Sequence, residues 1–140
     1  MPKPKVAILA AVETVNSKMP ATIDAACLCK MAERKQIDGG LLDGPLAFDN
    51  AISKEAAKTK GIASEVAGDP DILLAPDLEA GNILAKQLSF LANADSAGLV
   101  LGAKVPIILT SRADTVRSKI ASVAVAVMAA NARETAKASV

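Results

Sequence analysis

Histidine is absent from this chain, and so are tryptophan and tyrosine. Without histidine there can be no Ser–His–Asp or Cys–His arrangement, no imidazole base and no His-ligated zinc. Phe48 and Phe90 are the only aromatic residues, so the stacking platform of a single-strand nucleic-acid binder is missing. Charge gives no support in that direction either. Sixteen basic against 15 acidic residues leave a net charge of +1, far from the basic stripe that a phosphate backbone asks for. Cysteine is scarce. Cys27 and Cys29 are two apart on an expected helix, so their side chains diverge by about 200° and are poorly placed to bridge. Reduced thiols, and a cytoplasmic protein, are expected. Long hydrophobic runs are lacking as well. The apolar stretch 6–12 is short and ends at Glu13, which argues against a signal peptide. No run approaches the roughly 20 residues of a membrane span, and Arg117, Lys119, Arg133 and Glu134 punctuate the apolar C-terminal stretch.

What is present is aliphatic. Half of the 140 residues are hydrophobic, nearly all of them Ala, Val, Ile and Leu, enough to build one domain with a core of small and branched side chains. The run 6–12 reads as a buried strand. Thr22 is placed to cap a helix over 23–34, with Ile23, Cys27 and Met31 four apart. Residues 39–45 read as a short strand ending in an Asp-Gly-Pro turn, 46–52 as a loop, and 53–60 as a polar helix opened by Ser53 and stopped by Gly61. A strand over 71–75 leads to a helix over 78–91, capped by Asp77, with Ile83, Leu84, Leu88 and Leu91 on its inner face. Strands over 97–101 and 105–109 are joined by a short link, which predicts one antiparallel hairpin in the sheet. A last helix over about 114–137 carries Val116, Ile120, Val123, Ala124, Val127 and Met128 on one face. The alternation predicts an α/β domain, a mostly parallel sheet flanked by helices.

Three stretches could carry chemistry. Thr110-Ser111-Arg112 follows a strand and precedes a helix. The unpaired N–H groups and positive dipole end of a helix favour anions at such a junction. Arg112 can fork onto a phosphate, and Ser111 can donate to a carbonyl or phosphoryl oxygen as charge develops on it. A surface loop with a capping serine would read the same way. Asp77-Leu78-Glu79-Ala80-Gly81-Asn82 places Glu79 and Asn82 on one face of a helix start. Acidic residues there also simply complement the dipole, but Gly81 costs helix stability and wants a reason. Asp43-Gly44-Pro45, with the Asp49-Asn50 pair nearby, could line a cleft or be turn chemistry.

Taken together, these stretches resemble the phosphate acetyltransferase and phosphate butyryltransferase family. The resemblance is carried by Ala11-Val12-Glu13-Thr14-Val15-Asn16 with Lys18-Met19-Pro20, by Asp43-Gly44-Pro45-Leu46-Ala47-Phe48-Asp49-Asn50-Ala51-Ile52, and by Val66-Ala67-Gly68. Pro76-Asp77-Leu78-Glu79-Ala80-Gly81-Asn82 and Pro106-Ile107-Ile108-Leu109-Thr110-Ser111-Arg112-Ala113-Asp114 complete it. The wording leans to the butyryltransferase-like branch. The resemblance covers nearly the whole chain, but only the C-terminal half of family members, which are about twice as long. It implies a fold like the second domain of isocitrate dehydrogenase-like proteins, with residues 1–140 as a single α/β domain. About 111–140 would be the segment that packs on the missing first domain. That missing part would supply one wall of the cleft, including basic residues that help hold phosphate.

The activity implied is transfer of an acyl group between coenzyme A and inorganic phosphate. The coenzyme A thiolate attacks the acyl phosphate carbonyl and phosphate leaves. Coenzyme A enters as a substrate, no cofactor stays bound and no metal is demanded. Acyl-CoA and phosphate or acyl phosphate are the small-molecule partners, and a homodimer is implied. Ser111 and Arg112 would be catalytic, and Asp43, Asp49, Glu79 and Asn82 would bind substrate. In acetyltransferase members an Asp several residues after the Ser-Arg pair is implicated in deprotonating the thiol. Ser118 stands at that position here and Asp114 lies nearer, so the base is left unassigned. The second reading is a non-catalytic, self-associating fragment or engineered domain whose final helix exposes an apolar face.

Overall fold

The computed structural model describes residues 2–138, with side chains through residue 135. The chain forms two compact units, one ending at Leu84 and the next beginning at Ala85.

The first unit is built on a three-stranded parallel sheet. Strands β1 (Lys5–Leu9), β2 (Leu41–Leu46) and β3 (Ile72–Leu74) take the order β2-β1-β3. Helix α1 (Pro20–Glu33) connects β1 to β2, and two short helices, α2 (Phe48–Ile52) and α3 (Lys54–Thr59), lie between β2 and β3. β1 is central, so Ala7, Ile8 and Leu9 are buried on both faces, as expected of a continuous apolar run in a parallel sheet. Ala7 and Leu9, with Leu46, Ala51, Ala57, Val66 and Ala67, form the core cluster, against which Leu41, Ile62, Leu73 and Leu84 pack.

Several expectations change here. α1 begins at Pro20, with Met19 at the cap; proline fits the first helical position because its missing N–H has no partner there anyway. Thr22 therefore lies inside the first turn, where its hydroxyl accepts the Asn16 N–H at 2.9 Å and donates back to Met19 O or Asn16 O. Asp43-Gly44-Pro45 is strand, not turn. β2 runs through it to Leu46, with a register irregularity opposite the Ala7–Leu9 stretch and a cis Gly44–Pro45 bond. Gly44 is required by contact: a Cβ there would lie 2.7 Å from both the Cβ and the carbonyl oxygen of Ile8. Residues 48–52, expected as loop, form α2. Ser53 caps α3 through its Oγ, which accepts the Ala56 N–H at 3.2 Å, and Gly61 follows with φ 68°, both as expected.

Helix α4 (Leu78–Phe90) starts in the first unit and ends in the second. Asp77 caps it, accepting the Ala80 N–H at 2.7 Å. Of its expected inner face only Leu84 joins the core; Ile83, Leu88 and Leu91 are exposed.

The second unit holds β4 (Leu99–Val100) and β5 (Ile107–Ile108), an antiparallel pair forming its own two-stranded sheet instead of extending the parallel one. The long helix α5 (Val116–Ala138) packs on this hairpin, but not through the face expected. Its packed face is a stripe of small residues. Ser122 and Ala126 are buried, whereas Ile120 is 63% and Met128 70% exposed, with Val116, Val123 and Val127 also outward. The reason is polar. The Gly98 N–H needs an acceptor and finds the Ser122 hydroxyl at 3.0 Å, which in turn donates to Ser118 O at 2.8 Å. A valine stripe offers no acceptor for this half-buried N–H. Gly98 itself admits no side chain, since a Cβ would collide with the Leu109 carbonyl oxygen.

Candidate functional site

At the carboxyl ends of β1 and β2 the first unit assembles a charged group that one sequence motif alone did not reveal. Glu13 lies four residues past β1, and Asp49 and Asn50 lie on α2 just past β2. Lys60 reaches back from the end of α3. Its Nζ stands 3.2 Å from Glu13 Oε2 and 3.0 Å from the Asp49 carboxylate. Asn50, 0% exposed, donates from Nδ2 to Glu13 Oε2 at 3.2 Å, and its buried Oδ1 has no hydrogen-bond partner among the described residues.

One ammonium thus serves two carboxylates, and both are shifted by it. The Glu13 carboxyl is held below its ordinary value by a backbone N–H and then by Lys60, with Asn50 adding to the effect. Asp49 is lowered chiefly by its bond to Lys60. Lys60 is raised in turn, first by Asp49 and then by Glu13. Opposite charge and hydrogen bonding to the charged form act together here. A depression of about 340 Å³, lined by Asp49, Ser53, Glu55, Ala56, Thr59 and Lys60, opens beside the group.

Asp43, named from the sequence as substrate-binding, sits inside β2 opposite Ala7. It accepts the Gly44 N–H at 2.9 Å. Among the described residues, no hydrogen bond or ion pair joins it to Glu13, Asp49 or Lys60. Its charge, after burial, helps push the Cys29 thiol up to about 11, with Glu33 contributing. Both cysteines are free. Glu79 and Asn82 are exposed on the first turns of α4 and form no hydrogen bond or ion pair among the described residues. A Cβ added to Gly81 would meet only Ala75, at 3.4 Å, so no close backbone approach explains that glycine.

In the second unit, the loop between β5 and α5 carries Ser111 and Arg112. Ser111 is half-buried and Arg112 exposed, without an ion pair among the described residues. Asp114 Oδ2 accepts the Ser111 N–H at 2.6 Å, the Asp114 N–H returns to Ser111 O at 3.2 Å, and Ser111 Oγ accepts the Ala113 N–H at 3.3 Å. Ser111 Oγ therefore keeps its hydrogen to donate. Thr115 caps α5, its Oγ1 accepting the Ser118 N–H at 3.1 Å. Ser118 lies 3.1 Å from Thr115 Oγ1 and 3.4 Å from Ser96 Oγ. A cavity of about 230 Å³ borders Phe90, Asp95, Asp114, Thr115 and Ser118.

The residues expected to act together thus belong to different units: Asp43, Asp49, Glu79 and Asn82 to the first, Ser111 and Arg112 to the second. Lys60 was missed because nothing periodic links it to Asp49 or Glu13. Among the described residues, no group of three or more Cys, Asp or Glu is placed to hold a metal ion, and no helix is long and apolar enough to cross a membrane.

With this geometry in place, comparison with known proteins is informative. The family model described as phosphate acetyl/butaryl transferase matches residues 1–127. A phosphate acetyltransferase of Rhizobium meliloti is 67% identical over 135 residues, covering 96% of this chain and 43% of that protein. A probable phosphate butyryltransferase of Bacillus subtilis is 56% identical over 126 residues, covering 90% of this chain and 42% of that protein. Among solved structures, a branched-chain phosphotransacylase from Enterococcus faecalis V583 superposes with TM-score 0.78 at 37% identity, covering 91% of this chain and 45% of that one. The chain spans less than half the length of the curated relatives it matches.

Proposed function

The chain belongs to the phosphate acetyl/butaryl transferase family, and from that premise we propose that it carries the acyltransferase chemistry of the Ser111–Arg112 loop. The reaction is acyl-CoA plus phosphate to acyl phosphate plus coenzyme A, and the isolated chain is an incomplete catalyst of it. In the direction of thioester synthesis, the thiolate sulfur forms a bond to the acyl carbonyl carbon. The carbon–oxygen bond to phosphate breaks, and phosphate leaves with the electron pair. Arg112 binds the phosphate through its forked donors, and the Ser111 hydroxyl donates to the oxygen on which charge grows. Asp43, Asp49, Glu79 and Asn82 are proposed to bind substrate. The proposal takes residues 1–140 as the second domain of an isocitrate dehydrogenase-like pair, with about 111–140 packing on the other domain. It takes the protein as a cytoplasmic homodimer using coenzyme A as substrate, without a bound cofactor or metal.

The observation that supports this reading best is the shaped Ser111–Asp114 turn. It fixes Ser111 at both backbone ends, leaves its hydroxyl hydrogen available and holds Arg112 outward. The test is loss of thioester absorbance from acetyl-CoA or butyryl-CoA with phosphate. It is run with this chain alone and with the unmatched part of the Rhizobium meliloti relative added as a separate polypeptide. The expected result is phosphate-dependent loss in the mixture, abolished by Arg112→Ala, and little from the chain alone. A folded mixture without activity would overturn the acyltransferase reading, and rapid turnover by the monomeric chain would overturn its incompleteness.

A second reading is favoured by the outward face of α5. Val116, Ile120, Val123 and Val127 recur at spacings of four, three and four, the pattern of a helix that buries a seam against another. On this reading the chain is a non-catalytic fragment whose main act is self-association. Sedimentation of a monomer across all concentrations would exclude it.

A further inference from the structure

We propose that Asp114 is a positioning residue for Ser111 and Arg112 and not the base that deprotonates the thiol. This rests on the reading of Ser111–Arg112 as the pair that handles phosphate and the acyl carbonyl. Asp114 and Ser111 are joined twice, carboxylate to N–H at 2.6 Å and N–H to carbonyl at 3.2 Å. The carboxylate bond is short and charge-assisted. The two contacts close a four-residue turn with Arg112 and Ala113 at its apex. The Ala113 N–H then reaches Ser111 Oγ at 3.3 Å, so the serine side chain is oriented by the same turn.

The helix cap is a separate device. Thr115, not Asp114, accepts the Ser118 N–H through its side chain at 3.1 Å, and the Lys119 N–H bonds to Thr115 O at 3.1 Å. Starting α5 therefore does not require the Asp114 carboxylate, and its contact with Ser111 must be explained by the loop it shapes. To act as a base, Asp114 would take the proton on Oδ1 while Oδ2 holds the Ser111 N–H, and protonation would remove the charge that strengthens that 2.6 Å bond and so loosen the turn in mid-reaction. Ser118, the other candidate position, offers only a hydroxyl held among Thr115 and Ser96.

Asparagine separates the two roles, because its amide oxygen still accepts the Ser111 N–H but cannot take up a proton. The experiment compares Asp114→Asn, Asp114→Ala and Thr115→Ala in the full chain. Inorganic phosphate binding is read from amide and guanidinium resonances of residues 111–114, and acyl transfer is read in the two-polypeptide mixture. We expect Asp114→Ala to weaken phosphate binding and to slow transfer by about tenfold to a hundredfold, as loss of orientation does. Asp114→Asn should stay within about threefold of the unmodified protein, and Thr115→Ala should lower helix stability without changing phosphate affinity.

If Asp114→Asn slows transfer by about a hundredfold or more with phosphate binding intact, Asp114 is the base and the proposal is wrong. Unchanged binding and transfer in Asp114→Ala would overturn it equally. Should Asp114→Ala not fold, the asparagine variant alone still decides between the roles. If the unmodified chain binds no phosphate and the unmodified mixture transfers no acyl group, the reading of Ser111–Arg112 has failed, and that failure is visible before any Asp114 variant is examined.

Discussion

The two units of this chain are built by opposite means. Among the described residues, all the buried hydrophobic ones but Ala126 lie in the first unit, whose central strand is buried on both faces. The second unit holds a two-residue-deep hairpin and a long helix joined by polar contacts, Ser122 to the Gly98 N–H and Arg133 to Ala103 O, while Leu101, Val105, Leu109 and the valine seam of α5 stay in water. Stability therefore concentrates in the first unit and the Ser111–Arg112 loop sits in the second. The difference teaches that a chain can carry a well-formed loop, here the one proposed to handle phosphate, on a unit that leaves much of its apolar surface exposed.

Truncation should expose this contrast most visibly. Leu46→Ala, at 2% exposure, should cost about 2–5 kcal/mol. Leu101→Ala, at 83% exposure, should change stability by less than about 0.5 kcal/mol. Urea midpoints compare the two directly, and equal shifts would contradict the contrast. A charge on the seam comes next. Ile120→Glu should leave the circular dichroism unchanged and reduce any self-association seen by sedimentation; retained association would place the contact elsewhere.

Lys60→Met probes the charged group of the first unit and should have a smaller effect, because its ion pairs are about one-third exposed on the Lys60 and Glu13 sides and so partly screened. The sign with pH is defined. Glu13 and Asp49 have lowered values when folded, so their stabilisation is present above the ordinary carboxylate range and is lost as pH falls through it, below about 4. Lys60 is raised, so its share is present below the ordinary lysine value, about 10.4, and is lost as pH rises through the higher folded value. The stability difference between Lys60→Met and the unmodified chain should be constant near neutrality and shrink at both extremes. A difference that grows in acid would contradict the assignment. Cys29, pushed up to about 11 chiefly by burial, should be alkylated more slowly than exposed Cys27 at pH 8. Peptide mapping of partially labelled protein reports the order. Last, Gly81→Ala should stabilise α4 by about 0.5–1 kcal/mol, because the added Cβ meets only Ala75 at 3.4 Å; an accompanying loss of acyl transfer would show that substrate needs that space.

Much of the fold was legible because its signals are local. The apolar run of β1, the Ser53 and Asp77 caps and the short link between β4 and β5 each act within a few residues. What was not legible depends on tertiary contact. Asp43-Gly44-Pro45 reads as a turn until β2 is seen pressed against Ile8, where only glycine fits. The apolar face of α5 reads as its packed face until the Gly98 N–H is seen to require the Ser122 hydroxyl. The site followed the same division. Ser111 and Arg112 are marked by a strand-to-helix junction, and Asp49 by its motif. Lys60 joins Glu13 across 47 residues and Asp49 across 11, separations that no helical or strand period expresses.

The central claim is that the first unit sustains itself and the second waits for a cover. Residue-resolved native-state hydrogen exchange tests it most directly, with and without the unmatched part of the Rhizobium meliloti relative. The Ala10 N–H, bonded to Leu46 O at 2.9 Å, and the Leu109 N–H, bonded to Gly98 O at 3.1 Å, are suitable reporters. The account predicts that Ala10 exchanges only by global unfolding, and that Leu109 exchanges through local opening and slows by about tenfold or more when the added polypeptide binds. Equal protection of the two amides in the chain alone, or no slowing at Leu109 on addition, would contradict it.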